Sequence, residues 1–219
     1  MVVLAEKGIR ASVMDDVALE AGVSHGTVYR YYDSIEDLLS AAGKALATET
    51  ILRFEEAVAG FDDPARRVAG GMVLFLRTAE EYPFFARFRV NVGLQAVDPR
   101  DATGQSLPRH IAAGMKSGRF ARTSVEAGLD LVLGAALMAL ARIASGATTR
   151  FHRERVVAAT LMGLGLERDE ALRLARHPYP MPPQAADSLL SVSRARFRSA
   201  NPRSGTRRRQ PVVGGVGVR

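Results

Sequence analysis

Apolar residues recur at spacings of three and four along most of the chain, which is the pattern of amphipathic helices. The alternation that is typical of strands is almost absent, and the chain has no Asn-Gly or Asp-Gly hairpin turn. Glycine, proline and aspartate interrupt the pattern and divide it into segments of helical length. The predicted helices cover residues 1–7, 13–20, 25–31, 35–59, 64–81, 84–96, 105–117, 124–145, 153–165 and 168–176. The pattern therefore predicts an all-α fold.

The same segments predict three regions. Residues 1–45 hold short helices and form a small N-terminal domain, which we call the head. Residues 46–183 hold longer helices and form a larger helical body that ends in a proline-rich stretch. Residues 184–219 form a basic tail, in which a short helix near 184–197 precedes an Arg-, Gly- and Ser-rich segment that we expect to be disordered.

The head contains the most informative pattern. The segment Ser12-Val-Met-Asp15 is a capping box that starts one helix, and Gly22 can adopt the left-handed conformation that ends it in a sharp turn. Ser24 caps the next helix, in which we expect Val28 and Tyr31 on the inner face. Two short helices joined by a glycine-containing turn predict a DNA-binding helix-turn-helix.

The second helix of this pair presents side chains that suit a DNA duplex. Its outward residues are His25, Gly26, Thr27, Tyr29 and Arg30. Arg30 can donate two hydrogen bonds to a guanine edge, and the hydroxyls of Thr27 and Tyr29 can bond phosphates. Tyr31 and Tyr32 fit core packing as well as phosphate contact. The motif therefore predicts sequence-specific binding to double-stranded DNA.

Charge alone does not support DNA binding by the folded part. The net charge is +7, but the chain from Arg194 onward holds eight arginines and no acid. Of the 30 basic residues, 22 therefore remain in residues 1–193, against 23 acidic residues. The excess of basic over acidic residues therefore belongs to the tail. This leaves an alternative function open, that of a helical DNA-architectural or non-specific DNA-binding protein that acts through its tail.

Several other classes of function are disfavoured by the composition. The chain has no cysteine, and its histidines show no ligand spacing, so we expect no metal site and no cofactor. We find no phosphate loop, nucleophile elbow or paired carboxylates beside a histidine, so we expect no enzyme. The longest uncharged apolar stretch, residues 131–141, is too short to span a membrane. We expect a cytoplasmic protein without a membrane partner.

The head resembles that of the TetR (tetracycline repressor) family. The residues that carry the resemblance are Gly8, Ser12–Ala18, Ala21–Tyr32 and Ser34–Leu39. The resemblance implies a homodimeric repressor with a three-helix head, a connecting helix and a body that holds a small-molecule effector. It also implies a palindromic operator. The DNA-binding residues that we assign on this basis are Ser12, Ser24, His25, Gly26, Thr27, Tyr29, Arg30 and Tyr31.

Two features depart from the family pattern. Ile35 stands where many members have a phosphate-binding lysine at the start of the fourth helix. The first predicted helix, residues 1–7, is also short, which indicates either a natural chain that starts upstream of Met1 or a degraded member of the family.

Aromatic residues crowd positions 75–88 of the predicted body, where core packing and a ligand pocket explain them equally well. If they line a pocket, its effector is mostly apolar. Arg77, Glu80 or Arg89 could add one polar anchor, but we expect each of these side chains to face solvent. The predicted pocket residues are Met72, Phe75, Leu76, Phe84, Phe85, Phe88, Met115 and Met138.

We expect the homodimer to form through helices near 124–145 and 153–165. Both segments are rich in small and apolar residues that allow close helix approach. Substitution of Leu133 or Leu161 is expected to perturb this interface or the core beside it.

Overall fold

The computed structural model describes residues 14–92 and 102–200, without the side chains of residues 92, 102, 103, 198 and 200. All regular elements in these ranges are helices, as the sequence pattern predicts. They are α1 (Met14–Ala21), α2 (His25–Tyr29), α3 (Ile35–Val58), α4 (Pro64–Glu81), α5 (Pro83–Val92), α6 (Ala102–Lys116), α7 (Val125–Ala144), α8 (His152–Gly163), α9 (Arg168–Arg176) and α10 (Leu189–Ala200).

The observed helix ends follow the local capping residues closely. Asp63 accepts a hydrogen bond from the Ala65 amide at 3.0 Å, and Pro64 occupies the first turn, so α4 begins where the sequence predicts. Ser124 likewise caps α7 through the Ala127 amide at 3.1 Å. The predicted helix 1–7 and the end of the predicted helix 84–96 lie outside the described residues.

The body is built around α4, which packs against α3, α5, α6, α7, α8 and α9. Its buried side chains, including Val68, Met72 and Leu76, form the main core with residues of these neighbours. Gly114 on α6 lies so close to Phe120 that a Cβ there would meet the Phe120 ring at 2.1 Å. A larger residue at Gly114 would therefore displace this ring, which closes the end of the core between α6 and α7.

A second core lies between the head and the body. It brings Leu39 and Leu46 of α3 together with Phe85 and Phe88 of α5 and Leu190 of α10, all nearly or fully buried. The long helix α3 thus starts in the head at Ile35 and runs into the body. Because one helix belongs to both regions, the head is attached to the body through a packed core and not only through the chain.

Helix α10, in the region where a short helix is predicted near 184–197, packs onto the folded part. Leu190 is fully buried in the second core, and the Glu49 carboxylate accepts a hydrogen bond from the Leu189 amide at 2.7 Å. Phe197 packs near Phe84 with the ring centroids 5.9 Å apart. Leu190 and Phe197 thus lie on the side of α10 that packs inward, whereas Val192 is 42% exposed. Residues 201–219 lie outside the described residues.

A network of charges centred on Arg119 ties three parts of the body together. Its guanidinium donates to the Asp63 carboxylate at 2.9 and 3.0 Å and to the Glu170 carboxylate at 2.7 and 3.3 Å. All three side chains are about two-thirds buried. These hydrogen bonds hold the pKa of Asp63 and the pKa of Glu170 below their ordinary values of 3.8 and 4.5.

We predict that Arg119→Met removes a pH-dependent part of the stability. A carboxyl whose pKa is lowered by folding stabilises the protein above its unfolded pKa, and this contribution is lost as the pH falls through the folded pKa. At pH 7 the variant should lose about 1–2 kcal/mol of unfolding free energy, a value discounted for partial solvent exposure. Urea unfolding of the parent chain and of the variant at pH 7 and at pH 3 measures this loss of unfolding free energy. An equal loss at both pH values would contradict the assigned role of the network.

Candidate functional site

The first candidate site is the pair α1 and α2, which form the predicted helix-turn-helix. Gly22 has a φ of +69°, and the Val23 amide donates to the Ala18 carbonyl at 3.0 Å, so the chain reverses directly after α1. Ser24 then accepts a hydrogen bond from the Thr27 amide at 3.2 Å and caps α2. Ala18 and Val28 are buried where the two helices meet. Local turn and cap residues therefore fix the angle at which α2 is presented.

The outward face of α2 carries most of the predicted DNA contacts. Ser24, His25, Gly26, Tyr29 and Arg30 are exposed. Thr27 is half-buried, and its hydroxyl lies 2.8 Å from the Ser24 hydroxyl. The predicted contact Ser12 lies outside the described residues. Six of the eight predicted residues thus lie in α2 or directly beside its two ends, and five of these six are exposed.

Tyr31 differs from its predicted place on the inner face. It is 68% exposed, and the Arg30 guanidinium lies over its ring at 5.1 Å and donates to its hydroxyl at 3.4 Å. The reason is that α2 ends at Tyr29, so the helical period no longer places Tyr31 beside Val28. Tyr32 takes the inner position instead and packs against the core of the head.

The structure also shows a contact of His25 that the sequence analysis missed. The His25 Nε2 atom lies 3.1 Å from a carboxylate oxygen of Asp15, and the rings of His25 and Tyr29 are 4.4 Å apart. Asp15 belongs to α1, and no local spacing signals which residue of α2 it will meet. The pair holds the imidazole at the N-terminal end of α2, on the exposed surface that carries Arg30.

Helix α3 begins beside this surface. Ser34 accepts a hydrogen bond from the Asp37 amide at 3.1 Å, as the predicted capping box requires. Ile35, which stands where the resemblance implies a lysine, is half-buried and packs against both the head core and the second core. An apolar side chain at this position therefore stabilises the join between head and body.

The second candidate site is a partly open cavity of about 180 Å³ in the body, bordered by α3, α4, α5, α6 and α7. Its apolar lining comes mainly from α3, α4 and α7. The described residues that line it are Ala47, Thr50, Ile51, Phe54, Glu55, Arg67, Val68, Gly71, Met72, Phe75, Arg89, Gly104, Ser106, Leu107, Pro108, His110, Leu129, Val132, Leu133, Ala136 and Leu137. A mostly apolar enclosure with a few polar groups is typical of small-molecule sites.

Most polar side chains of the cavity wall have partners within the protein. The His110 Nε2 atom lies 2.9 Å from the Glu55 carboxylate. The Thr50 hydroxyl donates to the Leu46 carbonyl at 2.7 Å, and the Ser106 hydroxyl accepts from Arg109 at 3.3 Å. Arg67 donates to the backbone carbonyls of Phe61 and Ala59. His110 and Glu55 are 55 positions apart, so sequence analysis, which took the histidines as scattered, had no signal for their pairing.

Only part of the predicted pocket set lies at the cavity. Met72 and Phe75 line it, and Arg89, one of the three predicted polar anchors, does so as well. The others differ from the prediction: Leu76 lies in the main core, Phe84, Phe85 and Phe88 lie in the second core, Met115 is half-buried near Gly128, and Met138 is 61% exposed. The reason is the orientation of α5, whose aromatic face packs against α3, α7 and α10.

A third feature is an exposed apolar face on α7 and α8. Leu131 and Met138 of α7 are 36% and 61% exposed, and Met162 of α8 is 45% exposed. Gly134 lies between the first two on the same face, with nothing near its Cβ position. By contrast, Leu133 lines the cavity and Leu161 is fully buried, so neither belongs to this face.

Helix α7 is unusually apolar for its degree of burial. An 18-residue window of this helix has a mean hydropathy of 1.8, and 28% of that window is buried in the single chain. Within the described residues it alone is long and apolar enough to cross a membrane, which for one helix is weak evidence of a span. The exposed stripe of α7 continues onto α8, which packs beside it. The two helices therefore leave one continuous apolar surface on the body.

Comparison with known families and structures assigns both halves of the chain. Residues 1–42 match the family described as "Bacterial regulatory proteins, tetR family", and residues 63–177 match "Tetracyclin repressor-like, C-terminal domain". No curated protein matches the chain in sequence. Two solved structures of RolR, one without ligand and one with resorcinol, share 22% identity with it. They give TM-scores of 0.64 and 0.68, with 83% and 82% of this chain and 94% and 90% of theirs covered.

Proposed function

The chain belongs to the tetR family of bacterial regulatory proteins, which are DNA-binding transcription regulators and not enzymes, and we propose that it is a repressor. In this proposal a small, mostly apolar effector enters the body and releases the protein from a palindromic operator. The head reads the operator through α2, and the working form is a homodimer. A cytoplasmic location follows from its action on DNA.

The observation that carries the effector proposal is the cavity in the body. Its volume of about 180 Å³ is smaller than the roughly 300 Å³ at which sites for drug-sized ligands begin. An apolar protein cavity of about 150 Å³ can hold benzene. A molecule with one ring, or an aliphatic chain of similar volume, therefore fits the enclosed space. RolR, whose fold is similar, was solved with resorcinol, which is also a one-ring compound.

Helix α3 offers a physical connection between the cavity and the DNA surface. It contributes Thr50, Phe54 and Glu55 to the cavity wall, and its first turn at Ile35 packs against the head. A ligand that displaces α3 would change the orientation of α2. Such control requires the effector to bind more tightly to the state that fits DNA poorly, because binding both states equally would shift nothing.

The homodimer proposal is based on the exposed face of α7 and α8. An apolar surface of this kind on a soluble protein favours a protein interface. A second copy of the same chain is the proposed partner, since two-fold symmetry would pair this face with itself and present two heads. Two heads would read half-sites roughly 34–36 Å apart, about one turn of DNA.

The alternative function, non-specific DNA binding through the tail, has less support. Of the eight arginines from Arg194 onward, Arg194 lies over the Tyr82 ring at 5.0 Å, and Arg196 donates to the Glu20 carbonyl at 3.1 Å. Both side chains are engaged within the folded part. A nuclease footprint separates the two functions, because a regulator protects one palindrome and tail-driven binding protects no particular sequence.

We predict that filling the cavity abolishes release by the effector. Gly71 on α4 lines the cavity, and a Cβ at this position would meet no atom within 4 Å. Gly71→Met should fill the space, whereas the matched control Gly71→Ala leaves most of it open. Both changes should stabilise α4 by about 0.5–1 kcal/mol, since glycine is a poor helix former.

The experiment uses the full chain and an operator selected from random duplex DNA. Fluorescence anisotropy measures release by a panel of one-ring and short-chain apolar compounds. A compound that releases the Gly71→Ala variant but not the Gly71→Met variant would support the proposal. Release of both variants at the same concentration would show that the effector acts elsewhere.

A further inference from the structure

One charged side chain of the cavity wall has two buried nitrogen atoms without a hydrogen-bond partner in the part of the chain that the structure describes. Arg89 on α5 is only 7% exposed, and it is part of the cavity wall. Its Nε and Nη1 atoms are buried, and neither makes a hydrogen bond to any residue within 14–92 or 102–200. Every other polar side chain that lines the cavity in these ranges has a partner. Arg89 is therefore the side chain of the cavity wall whose hydrogen-bond donors remain available to a ligand.

An unpaired guanidinium in such a place is energetically unfavourable. Burial disfavours its charged form and lowers the pKa of Arg89 below its ordinary range. Arginine nevertheless stays protonated in proteins, so the charge persists in the empty cavity. A buried charge is stabilised when an opposite charge pairs with it and accepts its hydrogen bonds. The anionic group that satisfies these requirements best is planar and accepts two parallel bonds, as a carboxylate does.

The rest of the wall limits what can be attached to that carboxylate. Phe54, Met72, Phe75 and Leu137 supply apolar contacts. The acid Glu55 also lies on the wall, and its pairing with His110 lessens its repulsion of an anion. The volume admits one ring or a short branched chain.

We propose that the effector is a small monocarboxylic acid with an apolar one-ring or short-chain body, whose carboxylate is bound by the Arg89 guanidinium. This inference rests on the proposed effector function and specifies its ligand class. It modifies the expectation of a mostly apolar effector by adding one obligatory negative charge.

The first test needs no ligand. Arg89→Met replaces an unpaired buried charge with an apolar side chain of similar length, so the melting temperature of the free protein should rise by about 2–4 °C or more. Asp98 and Asp101 lie between α5 and α6 in the sequence, outside the described residues. If a carboxylate of the chain were already the partner of Arg89, the melting temperature would fall, and the proposal would be overturned.

The second test compares acids with neutral counterparts on the full chain. The probes are benzoate, phenylacetate, cyclohexanecarboxylate and 3-methylbutanoate, each beside its primary amide, with resorcinol as a further neutral ring. At least one acid should raise the melting temperature by about 5 °C near saturation, while its amide should not. Calorimetry should show at least 100-fold weaker binding of that acid to the Arg89→Met variant. The Arg89→Lys variant keeps the positive charge but not the pair of parallel donors, so its affinity for that acid should lie between those of the parent chain and the Arg89→Met variant.

The outcomes separate this inference from the proposed function. If resorcinol or the amides bind as well as the acids, and Gly71→Met blocks them, the cavity is an effector site but the carboxylate assignment is wrong. If an acid binds equally to the parent and to the Arg89→Met variant, Arg89 is not its partner and the inference fails. If neither acids nor neutral compounds bind, both the inference and the proposed effector function fail.

Discussion

A chain that carries Met138→Asp should be a monomer in solution. It should also bind its operator about 10²–10⁴-fold more weakly, because the two heads of the dimer would no longer be linked. Met138 is 61% exposed on the apolar face of α7, so a charge there is tolerated by the single chain but would be buried in a symmetric interface. Sedimentation at micromolar concentration and operator titration measure the two effects.

The matched control for this variant is Leu52→Asp. Leu52 is 56% exposed on α3, a helix that does not contribute to the face formed by α7 and α8, so the same change should leave a dimer. Circular dichroism should show equal helix content in both variants. A dimeric Met138→Asp protein, or a monomeric parent chain that still binds the operator tightly, would refute the proposed interface.

Arg30→Ala is expected to have the next largest effect on DNA binding. The side chain is exposed at the end of α2 and lies beside the Tyr31 ring. One bidentate arginine–guanine contact contributes about 1–3 kcal/mol. A dimer has two such arginines, so the loss of both contacts should cost about 2–6 kcal/mol of binding free energy at the operator. Because base contacts specify sequence, the variant should also lose its preference at one symmetric pair of positions.

Tyr29→Phe serves as the comparison for Arg30→Ala. It removes only a hydroxyl that can bond a phosphate, so it should weaken binding to all sequences evenly. Titration of the operator and of single-base variants with each protein distinguishes the two effects. If the Arg30→Ala protein keeps the full preference of the parent chain, Arg30 does not read a base.

The helices and the head could be predicted because their signals are local. Ser24, Ser34 and Asp63 each cap the helix that follows, and each does so through an amide two or three positions ahead. Gly22 ends α1 with the positive φ that its position in the turn requires. Such interactions depend on neighbouring residues only, so the sequence contains the whole of the information.

The placement of side chains around the cavity could not be predicted in the same way. Apolar periodicity shows that α5 has a buried aromatic face, but not whether that face meets a core or a cavity. Phe84 and Phe88 meet the second core, and Arg89 faces the cavity instead. Leu133 and Met138 of α7 similarly belong to different surfaces, which only the packing of neighbouring helices determines.

The position of α10 determines where the remaining chain leaves the fold. Arg196 contacts Glu20 of α1, so the last described residue, Ala200, lies only one helical turn beyond a contact with the head. In the sequence, α10 is followed by residues 201–219, which include Arg203, Arg207, Arg208, Arg209 and Arg219. Nineteen residues can reach at most about 60–70 Å from that anchor. In the proposed function, α10 therefore attaches these five arginines beside the head, which reads the operator, and not at the far end of the body.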